Sequence, residues 1–381
     1  MINFITAGES HGRGIVVIIE GVPAGLKLSE EKINKELSRR RKGYGRGKRM
    51  SIEQDSVEII SGVRFGETIG SPICAVVFNK DFRKDEKQKD KLLNPRPGHA
   101  DLAGVMKFLR EDLRDVLERA SARETVGRVI AGSVCKQLLE ELGIFVGSFV
   151  VKIGKIAVDV DYLCREDKLF SYHKVAEESL LRIPVVSKEK QIVSLIDEAF
   201  GKKDTLGGEF VVFASGIPVG LGSYTQWNQR FDAKVAFSMM SIPAVKSVEI
   251  GLGKGYTEKF GSEVHDEIYY DNKSLKFYRK TNNAGGIEGG MTNGEPVVVR
   301  CVMKPIPTLG KPLKSVNIRT KQSSFADVVR SDVMAVPACS VIGEAMLAVT
   351  VASEIKLKFG GDSVVEMKRN YNNFKKLLEK F

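Results

Sequence analysis

Two of the four histidines in this 381-residue chain lie in short polar segments that contain glycine. His11 stands in segment 8–12 (GESHG), and His99 stands in segment 96–101 (RPGHAD). An imidazole exchanges protons near neutral pH, so a chain with few histidines and two in such settings is a candidate for general acid or base catalysis. A hydrogen-bonded loop histidine explains either segment equally well, and from the residues alone both interpretations stay open.

Arginines gather in segments rich in small and hydroxyl residues. Segment 119–123 reads RASAR, segment 330–332 reads RSD, and Arg96 begins the segment that contains His99. A guanidinium group binds phosphate or carboxylate through paired hydrogen bonds, and small neighbours let such an anion approach the backbone. One such arginine by itself is typical of a surface or a helix pair. Together they predict a site for a ligand that carries several anionic groups.

Two further segments are suited to present groups to a ligand. Lys304 opens segment 304–308 (KPIPT), where two prolines stiffen the backbone, and the glycines of segment 285–290 (GGIEGG) allow close backbone approach. A plain turn explains KPIPT equally well. Asp332, taken alone, is typical of a helix cap or an ion-pair partner. The GxxxxGK[ST] phosphate loop and the HExxH zinc motif do not occur, so neither class of site finds support.

A formal net charge of +11, with 43% hydrophobic and 28% charged residues, describes a globular chain that has an anionic partner. That partner is either nucleic acid or a small ligand with phosphate and carboxylate groups. Segment 39–49 (RRRKGYGRGKR) holds seven basic residues and no acid. Its glycines predict a flexible basic loop that closes around an anion. A nucleic-acid site would need stacking aromatic residues there, and only Tyr44 is present.

The cysteines are odd in number, far apart and without CxxC spacing, which predicts reduced, mostly buried thiols and no structural metal. The chain has no run of about 18 uncharged apolar residues and no basic segment followed by an apolar one at its N-terminus. These features indicate neither a membrane span nor a signal peptide, and we expect a cytoplasmic protein. His173 and His265 stand among ordinary surface residues, and we predict that both are exposed to solvent.

Hydrophobic periodicity and turn residues predict groups of strands that alternate with groups of helices. The predicted strands are 15–19, 57–63, 73–78, 145–153, 156–160, 210–214 and 297–303, and the predicted helices are a Ser29-capped helix to Arg41, two long helices in 100–142, and helices 174–181, 189–200, 232–240 and 340–358. No long Pro, Ser or Gly linker separates domains. We predict one α+β domain over residues 1–381, with helices packed between antiparallel sheets and a weak suggestion of two similar halves.

Six segments in one order resemble the chorismate synthase family over essentially the whole chain. They are 8–23 (GESHGRGIVVIIEGVP), 96–101 (RPGHAD), 118–125 (ERASARET), 285–291 (GGIEGGM), 304–308 (KPIPT) and 330–344 (RSDVMAVPACSVIGE). The resemblance implies a homotetramer with a chorismate-synthase-like β-α-β sandwich fold. It also implies the last reaction of the shikimate pathway, an anti-1,4-elimination that converts 5-enolpyruvylshikimate 3-phosphate to chorismate and phosphate. That reaction requires reduced FMN but produces no net redox change.

The resemblance also implies roles for individual residues. His11 is the proton donor at the substrate phosphate, His99 lies near the flavin and helps to set its protonation, and Asp332 relays a proton with flavin N5. The implied substrate-binding residues are Ser10, Arg49, Arg96, Arg123, Lys304 and Arg330. The implied FMN-binding residues are Arg119, Ala120, Ser121, Pro243, Ala244, Gly289, Lys304, Pro305, Ile306, Pro307, Thr308 and Arg330, and the implied NADPH-binding residues are Arg40 and Arg46. Pro243 departs from many members, which have a polar residue at that position.

Two other functions stay open from the residues alone. A nucleic-acid-binding protein would use segment 39–49 and bind with a steep salt dependence. An ordinary flavin oxidoreductase would turn over a redox substrate stoichiometrically with NADPH. The resemblance favours a small-molecule enzyme that binds neither nucleic acid nor membrane. Arg40 and Arg46 do not decide whether NADPH or an external reductant reduces the FMN, because cations in that segment also suit substrate binding.

Overall fold

The computed structural model describes residues 1–46, 55–80, 82, 91–273, 276–329 and 331–381, and it confirms the predicted α+β class. The strands are β1 Asn3–Ala7, β2 Gly14–Glu20, β3 Glu58–Ser61, β4 Val63–Arg64, β5 Glu67–Thr68, β6 Ile73–Phe78, β7 Phe145–Ile153, β8 Ile156–Ala157, β9 Gly208–Ser215, β10 Val245–Ile250, β11 Ile268–Asp271, β12 Lys276–Arg279, β13 Ile287–Glu288, β14 Met291–Thr292, β15 Val297–Met303, β16 Lys314–Val316 and β17 Ser323–Phe325. The helices are α1 Glu30–Arg41, α2 Asp101–Phe108, α3 Arg114–Ala120, α4 Thr125–Glu140, α5 Glu166–Glu178, α6 Glu189–Gly201, α7 Phe231–Met240, α8 Gly261–Val264, α9 Val336–Phe359 and α10 Val364–Leu378. Short 3-10 helices cover Ala122–Glu124, Val186–Lys188, Trp227–Gln229 and Gly253–Glu258.

Two antiparallel sheets contain the longer strands. The smaller sheet has the strand order β1-β2-β6-β3, and the larger sheet has the order β10-β15-β9-β7-β8. The larger sheet is covered on both faces. Phe210 and Val212 of β9 belong to the main core, whereas Val211 and Phe213 pack in a second cluster with Leu169 of α5. Successive side chains of a strand point to opposite faces, which explains why β9 is buried along nearly its whole length.

Helices α4 and α9 pack against each other in the main core. Small residues let them approach closely, since a Cβ atom on Gly132 of α4 would lie 2.3 Å from Ala345 Cα of α9. Helix α9 is equally close to the larger sheet, where a Cβ atom on Gly343 would lie 2.8 Å from Val212 Cγ2. On its other side α4 packs on β2 of the smaller sheet. A larger side chain at either glycine would force these layers apart.

Helix α9 is, among the described residues, the one helix long and apolar enough to cross a membrane. Its apolar window has a mean hydropathy of 1.6, but 89% of that window is buried inside the protein. A helix that is apolar all round and covered by protein is typical of the core of a large domain. Helix α9 therefore gives no indication of a membrane protein.

A buried ion network lies between the helices and centres on Glu344 of α9. Glu344 accepts two hydrogen bonds of 2.8 Å from Arg39, one of 3.0 Å from Arg182 and one of 2.6 Å from the Ser148 hydroxyl, and it also contacts Lys136. Burial raises the pKa of Glu344, but the surrounding cations outweigh burial and hold it well below the ordinary value. We call this group of residues, with Glu36 and Glu177, the Glu344 network.

The Glu344 network balances its charges. Lys136 Nζ lies 2.9 Å from Glu36 Oε2, and Arg39 Nε donates to Glu177 Oε2 at 2.8 Å. Glu177 also contacts Arg182. Three carboxylates thus face three cations inside the protein. Buried charges persist only when they are paired and hydrogen bonded in this way.

His173 borders the Glu344 network, and the prediction that it is exposed is wrong. Its ring packs edge-on against Phe145 with the ring centroids 5.3 Å apart, and its Nδ1 lies 3.1 Å from the Ser148 carbonyl oxygen. Burial lowers the pKa of His173. The local sequence could not show this, because α5 lies against β7 only in the folded protein. His265 is exposed, as predicted.

The predicted pair of long helices in 100–142 is in fact three helices, α2, α3 and α4. Leu109 adopts the left-handed conformation with φ 51° and ends α2, and extended Ser121 ends α3 and caps the Ala122–Glu124 turn. Neither break carries the glycine or proline that would mark it in the sequence. Helix α5 begins at Glu166, earlier than predicted, and strand β1 and helix α10 were not predicted.

Segment 39–46 is not a flexible loop. Helix α1 continues to Arg41, Arg39 and Arg40 are buried, and the Tyr44 N–H donates to the Leu180 carbonyl oxygen at 3.2 Å. The prediction of a flexible loop is therefore wrong for this part of the basic run, because protein carboxylates and carbonyls, and not solvent, surround its first arginines. Residues 47–49 lie outside the described residues.

All five cysteines are free, as predicted, and three of them are buried. Burial raises the pKa of Cys135 and of Cys339 to about 12. Thiols with such a pKa are protonated at neutral pH and are poor nucleophiles and metal ligands. These two cysteines act as small core residues.

Candidate active site

His11 lies in the loop between β1 and β2 and is paired with Glu118 of α3. Its backbone N–H donates to Glu118 Oε2 and its ring Nδ1–H donates to Oε1, both at 2.7 Å. A carboxylate that accepts from Nδ1–H orients the ring and leaves Nε2 as the nitrogen through which the ring exchanges a proton. Burial raises the pKa of Glu118, but the hydrogen bonds from His11 outweigh burial, and the pKa lies below its ordinary value. The pair thus presents an oriented imidazole backed by an ionised carboxylate.

Asn79, directly after β6, holds the loop that carries His11. Its Nδ2 donates to the carbonyl oxygens of Glu9 and Ser10 at 3.2 Å each and to that of Gly12 at 2.8 Å. An amide that reaches three carbonyl oxygens of one loop fixes the path of the backbone. The conformation of the His11 loop is therefore set from the neighbouring strand of the same sheet.

Arg123 supports Asn79 from behind. Its Nε donates to Asn79 Oδ1 at 2.9 Å, and its Nη1 donates to Asp55 Oδ1 at 2.7 Å. Arg123 and Asp55 are both buried. A guanidinium held by a carboxylate and an amide has a fixed orientation before any ligand arrives. Arg123 thus connects the His11 loop to Asp55, the first described residue after 47–54.

Ser10 and Ser121 bring the His11 loop next to the end of α3. Ser121 Oγ donates to Ser10 Oγ at 3.2 Å, and the Ser10 N–H donates to the Glu118 carbonyl oxygen at 3.0 Å. Segment 8–12 also has the GxSxG spacing of serine hydrolases, but here it joins two strands and not a strand to a helix. The described contacts of Ser10 therefore give no support to a nucleophilic serine.

Arg119 ties the end of α3 to β1. Its Nη2 donates to Thr6 Oγ1 at 2.7 Å, and its Nη1 donates to the Gly8 carbonyl oxygen at 3.1 Å. Gly8 has φ +108°, and a Cβ atom there would lie 2.1 Å from the Gly14 carbonyl oxygen, so only glycine fits. Arg119 is itself exposed and places positive charge beside the loop. The residues that these contacts join, called the His11 cluster below, are Ser10, His11, Asn79, Glu118, Arg119, Ser121 and Arg123.

A second charged group forms at the start of α2. Arg96 donates from Nε to Asp101 Oδ2 at 2.8 Å and from Nη2 to Oδ1 at 2.9 Å, and the His99 Nδ1–H donates to Asp101 Oδ1 at 2.6 Å. Burial raises the pKa of Asp101, but the hydrogen bonds from His99 and Arg96 outweigh burial and hold it well below its ordinary value. One carboxylate thus orients a guanidinium and an imidazole together.

Segment 304–308 packs against this group. Arg96 Nη1 donates to Thr308 Oγ1 at 2.7 Å, Lys304 Nζ donates to the Gly98 carbonyl oxygen, and the Lys304 N–H donates to the Ala244 carbonyl oxygen at 2.9 Å. Partial burial lowers the pKa of Lys304. The segments RPGHAD and KPIPT, far apart in sequence, therefore form one unit. The residues of this unit, called the His99 cluster below, are Arg96, His99, Asp101, Lys304 and Thr308.

Asp332 forms an ion pair with Arg46. Asp332 Oδ2 lies 3.0 Å from Arg46 Nη1, and the N–H of the next residue, Val333, donates to the Gly45 carbonyl oxygen at 3.0 Å. Burial lowers the pKa of Arg46, and Asp332 opposes this effect. A backbone hydrogen bond and an ion pair thus fix the two segments side by side.

Backbone contacts connect Asp332 to the His99 cluster. The Leu206 N–H donates to the Val333 carbonyl oxygen at 2.9 Å, and Thr205 Oγ1 donates to the Ile306 carbonyl oxygen at 2.7 Å. Among the residues that the structure describes, no hydrogen bond or ion pair joins the His11 cluster directly to the His99 cluster. The site therefore consists of separately built parts.

Comparison with known proteins identifies the family. A family model described as chorismate synthase matches residues 2–355. The chain is 51% identical over 397 residues to the chorismate synthase of Aquifex aeolicus (strain VF5), an alignment that covers 100% of this chain and 99% of that protein. The chain belongs to the chorismate synthase family. It is also 50% identical over 389 residues to the chorismate synthase of Sulfurihydrogenibium sp. (strain YO3AOP1), with 98% of each chain covered.

A solved structure described as "Crystal Structure of Chorismate Synthase" agrees with this assignment. It matches with a TM-score of 0.84 and 46% sequence identity, and the match covers 100% of this chain and 99% of that chain. The resemblance seen in the six segments is thereby confirmed. As a member of the chorismate synthase family, the chain is an enzyme of the lyase class at the last step of the shikimate pathway, which serves aromatic amino-acid biosynthesis.

Among the described residues of this chain, those implied for FMN come from four places in the fold. Arg119, Ala120 and Ser121 stand at the end of α3, Pro243 and Ala244 precede β10, Gly289 lies between β13 and β14, and Lys304, Pro305, Ile306, Pro307 and Thr308 follow β15. Gly289 has φ +57°, and no atom lies within 4 Å of where its Cβ would be. Open space at a glycine and exposed cations such as Arg119 fit a ligand that combines a flat ring with a phosphate.

The remaining implied residues divide into two groups. Arg49 and Arg330 lie outside the described residues. Arg40 lies in α1 and contacts the turn after α3, and Arg46 contacts Asp332. Arg40 and Arg46 therefore both contact protein groups of the candidate site.

Sequence reasoning missed the residues that orient the predicted ones. Glu118 and Asp101, which fix His11 and His99, stand inside the segments ERASARET and RPGHAD, so a search for acids within these segments would have included both among the candidates without pairing them to a histidine. Asn79 belongs to none of the segments and follows an ordinary buried strand. Nothing local in the sequence marks it.

Proposed function

We propose that this member of the chorismate synthase family converts 5-enolpyruvylshikimate 3-phosphate to chorismate and phosphate by an anti-1,4-elimination. The C–O bond to the phosphate breaks with its electron pair, one ring C–H bond breaks, and the ring gains a double bond. The substrate undergoes no net oxidation or reduction, because the carbon that loses oxygen and the carbon that loses hydrogen change in opposite directions. The observation that carries the proposal is the His11–Glu118 pair, because a leaving phosphate needs an oriented proton donor.

His11 donates a proton to the departing phosphate in this proposal. Glu118 accepts from both the backbone and the ring of His11, so the imidazole keeps one orientation while it exchanges a proton at Nε2. The hydroxyls of Ser10 and Ser121 lie next to this loop and are suited to hold phosphate oxygens. A positioned general acid typically contributes about 10² to 10⁴ in rate.

The substrate carries one phosphate and two carboxylates, and the proposed ligands are the cations of the two clusters. Arg123, held by Asp55, and Arg96, held by Asp101, are oriented before any ligand arrives. Lys304 adds a partly exposed ammonium group. Fixed donors lower the barrier to charge development because they need no reorganisation during the reaction. Arg49 and Arg330 complete the proposed set from the family resemblance.

We further propose reduced FMN as the cofactor, held by the residues at the end of α3, before β10, at Gly289 and after β15. When bound, reduced FMN supplies the electron density and the hydrogen removal that an unactivated ring C–H bond requires. His99 donates its Nδ1–H to Asp101, and its Nε2, which lies 3.4 Å from Arg96 Nη2, is the nitrogen that would exchange a proton with bound flavin. Asp332, fixed by Arg46, is the second proton-exchanging group there. NADPH or an external reductant supplies the reduced flavin.

We propose one domain over residues 1–381, a β-α-β sandwich, a homotetramer and a cytoplasmic location. The packing of α4 on β2 and of α9 on β7 and β9 supports the sheet–helix–sheet order. Large exposed aromatic residues such as Trp227 and Phe237 support an assembly that covers them. The nucleic-acid function loses support, because Arg39 and Arg40 of the basic run are buried.

Product formation under anaerobic conditions tests the proposed function. The protein is incubated with 5-enolpyruvylshikimate 3-phosphate and either chemically reduced or oxidised FMN, and chorismate and phosphate are measured. We expect many products per flavin with reduced FMN and none with oxidised FMN. Absence of product from folded, FMN-binding protein would contradict the proposal, and oxidation of one reduced FMN for each product formed would indicate an ordinary flavin oxidoreductase.

A further inference from the structure

We infer that Arg40 and Arg46 are positioning residues that hold the parts of the site in place, and that neither of them binds NADPH. The inference rests on the proposed function, since it concerns the same site. It is carried by the burial of both side chains, by the groups that they contact, and by the short segment of chain between them.

Arg40 is almost completely enclosed. It is 4% exposed, its Nε donates to Thr125 Oγ1 at 2.9 Å, and its Nη2 donates to the Ala122 carbonyl oxygen at 2.8 Å. Thr125 Oγ1 itself donates to the Ala122 carbonyl oxygen at 2.6 Å. The three groups form a closed ring of hydrogen bonds at the start of α4. Arg40 therefore fixes the turn between α3 and α4.

This turn carries two members of the His11 cluster. Ser121 contacts Ser10, and Arg123 holds Asn79, which in turn holds the His11 loop. A displacement of the turn would thus also displace the His11 loop, through the Ser121–Ser10 contact and through the Arg123–Asn79 contact. Misplacement of a reacting group by about 1 Å can cost on the order of 10² in rate.

Arg46 performs the same task for Asp332. Its side chain is 10% exposed, its Nη1 lies 3.0 Å from Asp332 Oδ2, and the preceding Gly45 accepts from the Val333 N–H at 3.0 Å. Gly45 has φ +79°, and a Cβ atom there would lie 3.0 Å from Ile196 Cγ2, so the turn is closely packed. A nucleotide phosphate would have to compete with Asp332 for this guanidinium inside the protein.

The chain between Arg40 and Arg46 is anchored to the core. Arg39 is bound in the Glu344 network, the Tyr44 N–H donates to the Leu180 carbonyl oxygen at 3.2 Å, and the Tyr44 hydroxyl donates to Asp197 Oδ1 at 2.8 Å. Segment 40–46 therefore links the His11 cluster at one end to Asp332 at the other. From Asp332 the backbone contacts described above continue to the His99 cluster.

Four variants test the inference. Arg40→Lys keeps the charge but not the two-pronged contact, Arg46→Gln removes the charge beside Asp332, and Arg46→Lys restores it. Lys42→Gln is the matched control, because it removes an exposed positive charge from the same basic run. Each variant is assayed for chorismate formation with chemically reduced FMN, where NADPH is absent.

A positioning role predicts lower kcat with an unchanged KM for 5-enolpyruvylshikimate 3-phosphate in this NADPH-free assay, whereas loss of a direct substrate contact would raise KM. We expect kcat to fall about tenfold or more for Arg40→Lys and Arg46→Gln, partial rescue by Arg46→Lys, and no change for Lys42→Gln. Wild-type kcat in Arg40→Lys and Arg46→Gln would overturn the inference. A wild-type enzyme that forms no chorismate would instead contradict the proposed function, so the two failures are distinguishable.

Two measurements separate positioning from loss of folding or of NADPH binding. Equilibrium dialysis with NADPH should give the same dissociation constant, or the same absence of binding, for all four variants and the wild type. Hydrogen–deuterium exchange should be faster in segment 118–125 of Arg40→Lys and unchanged in β9. Selective weakening of NADPH binding by Arg40→Lys or Arg46→Gln, with normal exchange, would contradict the inference even if some activity were lost.

Discussion

Glu344 and Glu118 are both carboxylates that accept hydrogen bonds from basic groups, but they differ in burial and in the number of their basic partners. Glu344 is fully buried and meets the cations of Arg39, Lys136 and Arg182. Glu118 is partly exposed and meets one imidazole, that of His11. The first carboxylate contacts three cations, whereas the second accepts hydrogen bonds, among the described residues, from one basic side chain that is itself a proton-exchanging group.

The difference shows what each arrangement is suited for. A buried network with balanced charges fixes the elements that contribute to it. A carboxylate–imidazole pair near the surface adds little to stability, yet it orients a group that can exchange protons. We therefore expect changes in the Glu344 network to act on folding and changes at the His11–Glu118 pair to act on the reaction.

The largest effect on the reaction is expected for His11→Ala. Loss of the general acid should lower kcat with reduced FMN by about 10² to 10⁴, because proton donation to the leaving phosphate is removed. The midpoint of thermal unfolding should change little, since the side chain is 33% exposed. His265→Ala, at an exposed histidine outside the site, is the control and should keep wild-type kcat. Near-normal turnover by His11→Ala would contradict the expectation that the His11–Glu118 pair acts on the reaction.

Glu344→Ala tests whether the Glu344 network stabilises the folded protein. Removing this carboxylate leaves three buried cations with fewer partners, which should lower the free energy of unfolding by about 3–5 kcal/mol. Urea-induced unfolding followed by circular dichroism measures the change, and Glu258→Ala at an exposed acid is the control. A loss of less than about 1 kcal/mol would show that the network is not a structural centre.

The same two regions show what the sequence could and could not predict. His11 and His99 were found because small polar and glycine neighbours mark a site locally, and strand 297–303 and the Ser29-capped helix were found because periodicity and capping are local too. The partner of His11 was not found, since spacing does not say which acid 107 residues away meets the ring.

Segment 39–49 shows the same limit of local sequence information. The glycines and charges of segment 39–49 predict a flexible basic loop that closes around an anion, but Arg39 is buried because Glu344, 305 residues away in sequence, lies beside it in the fold. Long-range ion pairs leave no trace in local charge. His173 was misjudged for the same reason, since Phe145 and Ser148 of β7, which lie against its ring, are distant in sequence.

A smaller effect on the reaction is expected for Glu118→Gln. The amide keeps the shape of the side chain but loses the charge that holds His11, and hydrogen bonds to charged groups contribute about 1.5–3 kcal/mol. This corresponds to a roughly 10- to 100-fold lower kcat, with a thermal midpoint close to that of the wild type. Steady-state rates with reduced FMN and a thermal scan check both statements. A variant that loses stability while its kcat is normal would show that Glu118 is structural, as Glu344 is.

The smallest effect concerns the pH dependence of stability at Glu177, on the edge of the Glu344 network. Burial raises the pKa of Glu177, but the hydrogen bond from Arg39 and the charge of Arg182 outweigh burial and lower the pKa to about 2. Because the folded pKa lies below the unfolded one, the stabilisation is present above about pH 5 and is lost as pH falls toward 2. The difference in unfolding free energy between wild type and Glu177→Gln should therefore be constant near neutral pH. It should shrink by on the order of 1–2 kcal/mol in acid, as urea unfolding at a series of pH values would show. If the two curves of unfolding free energy against pH stay parallel down to pH 2, Glu177 is not paired with Arg39 and Arg182 in the folded state. The charge of Glu177 would then be no better compensated than that of Glu118.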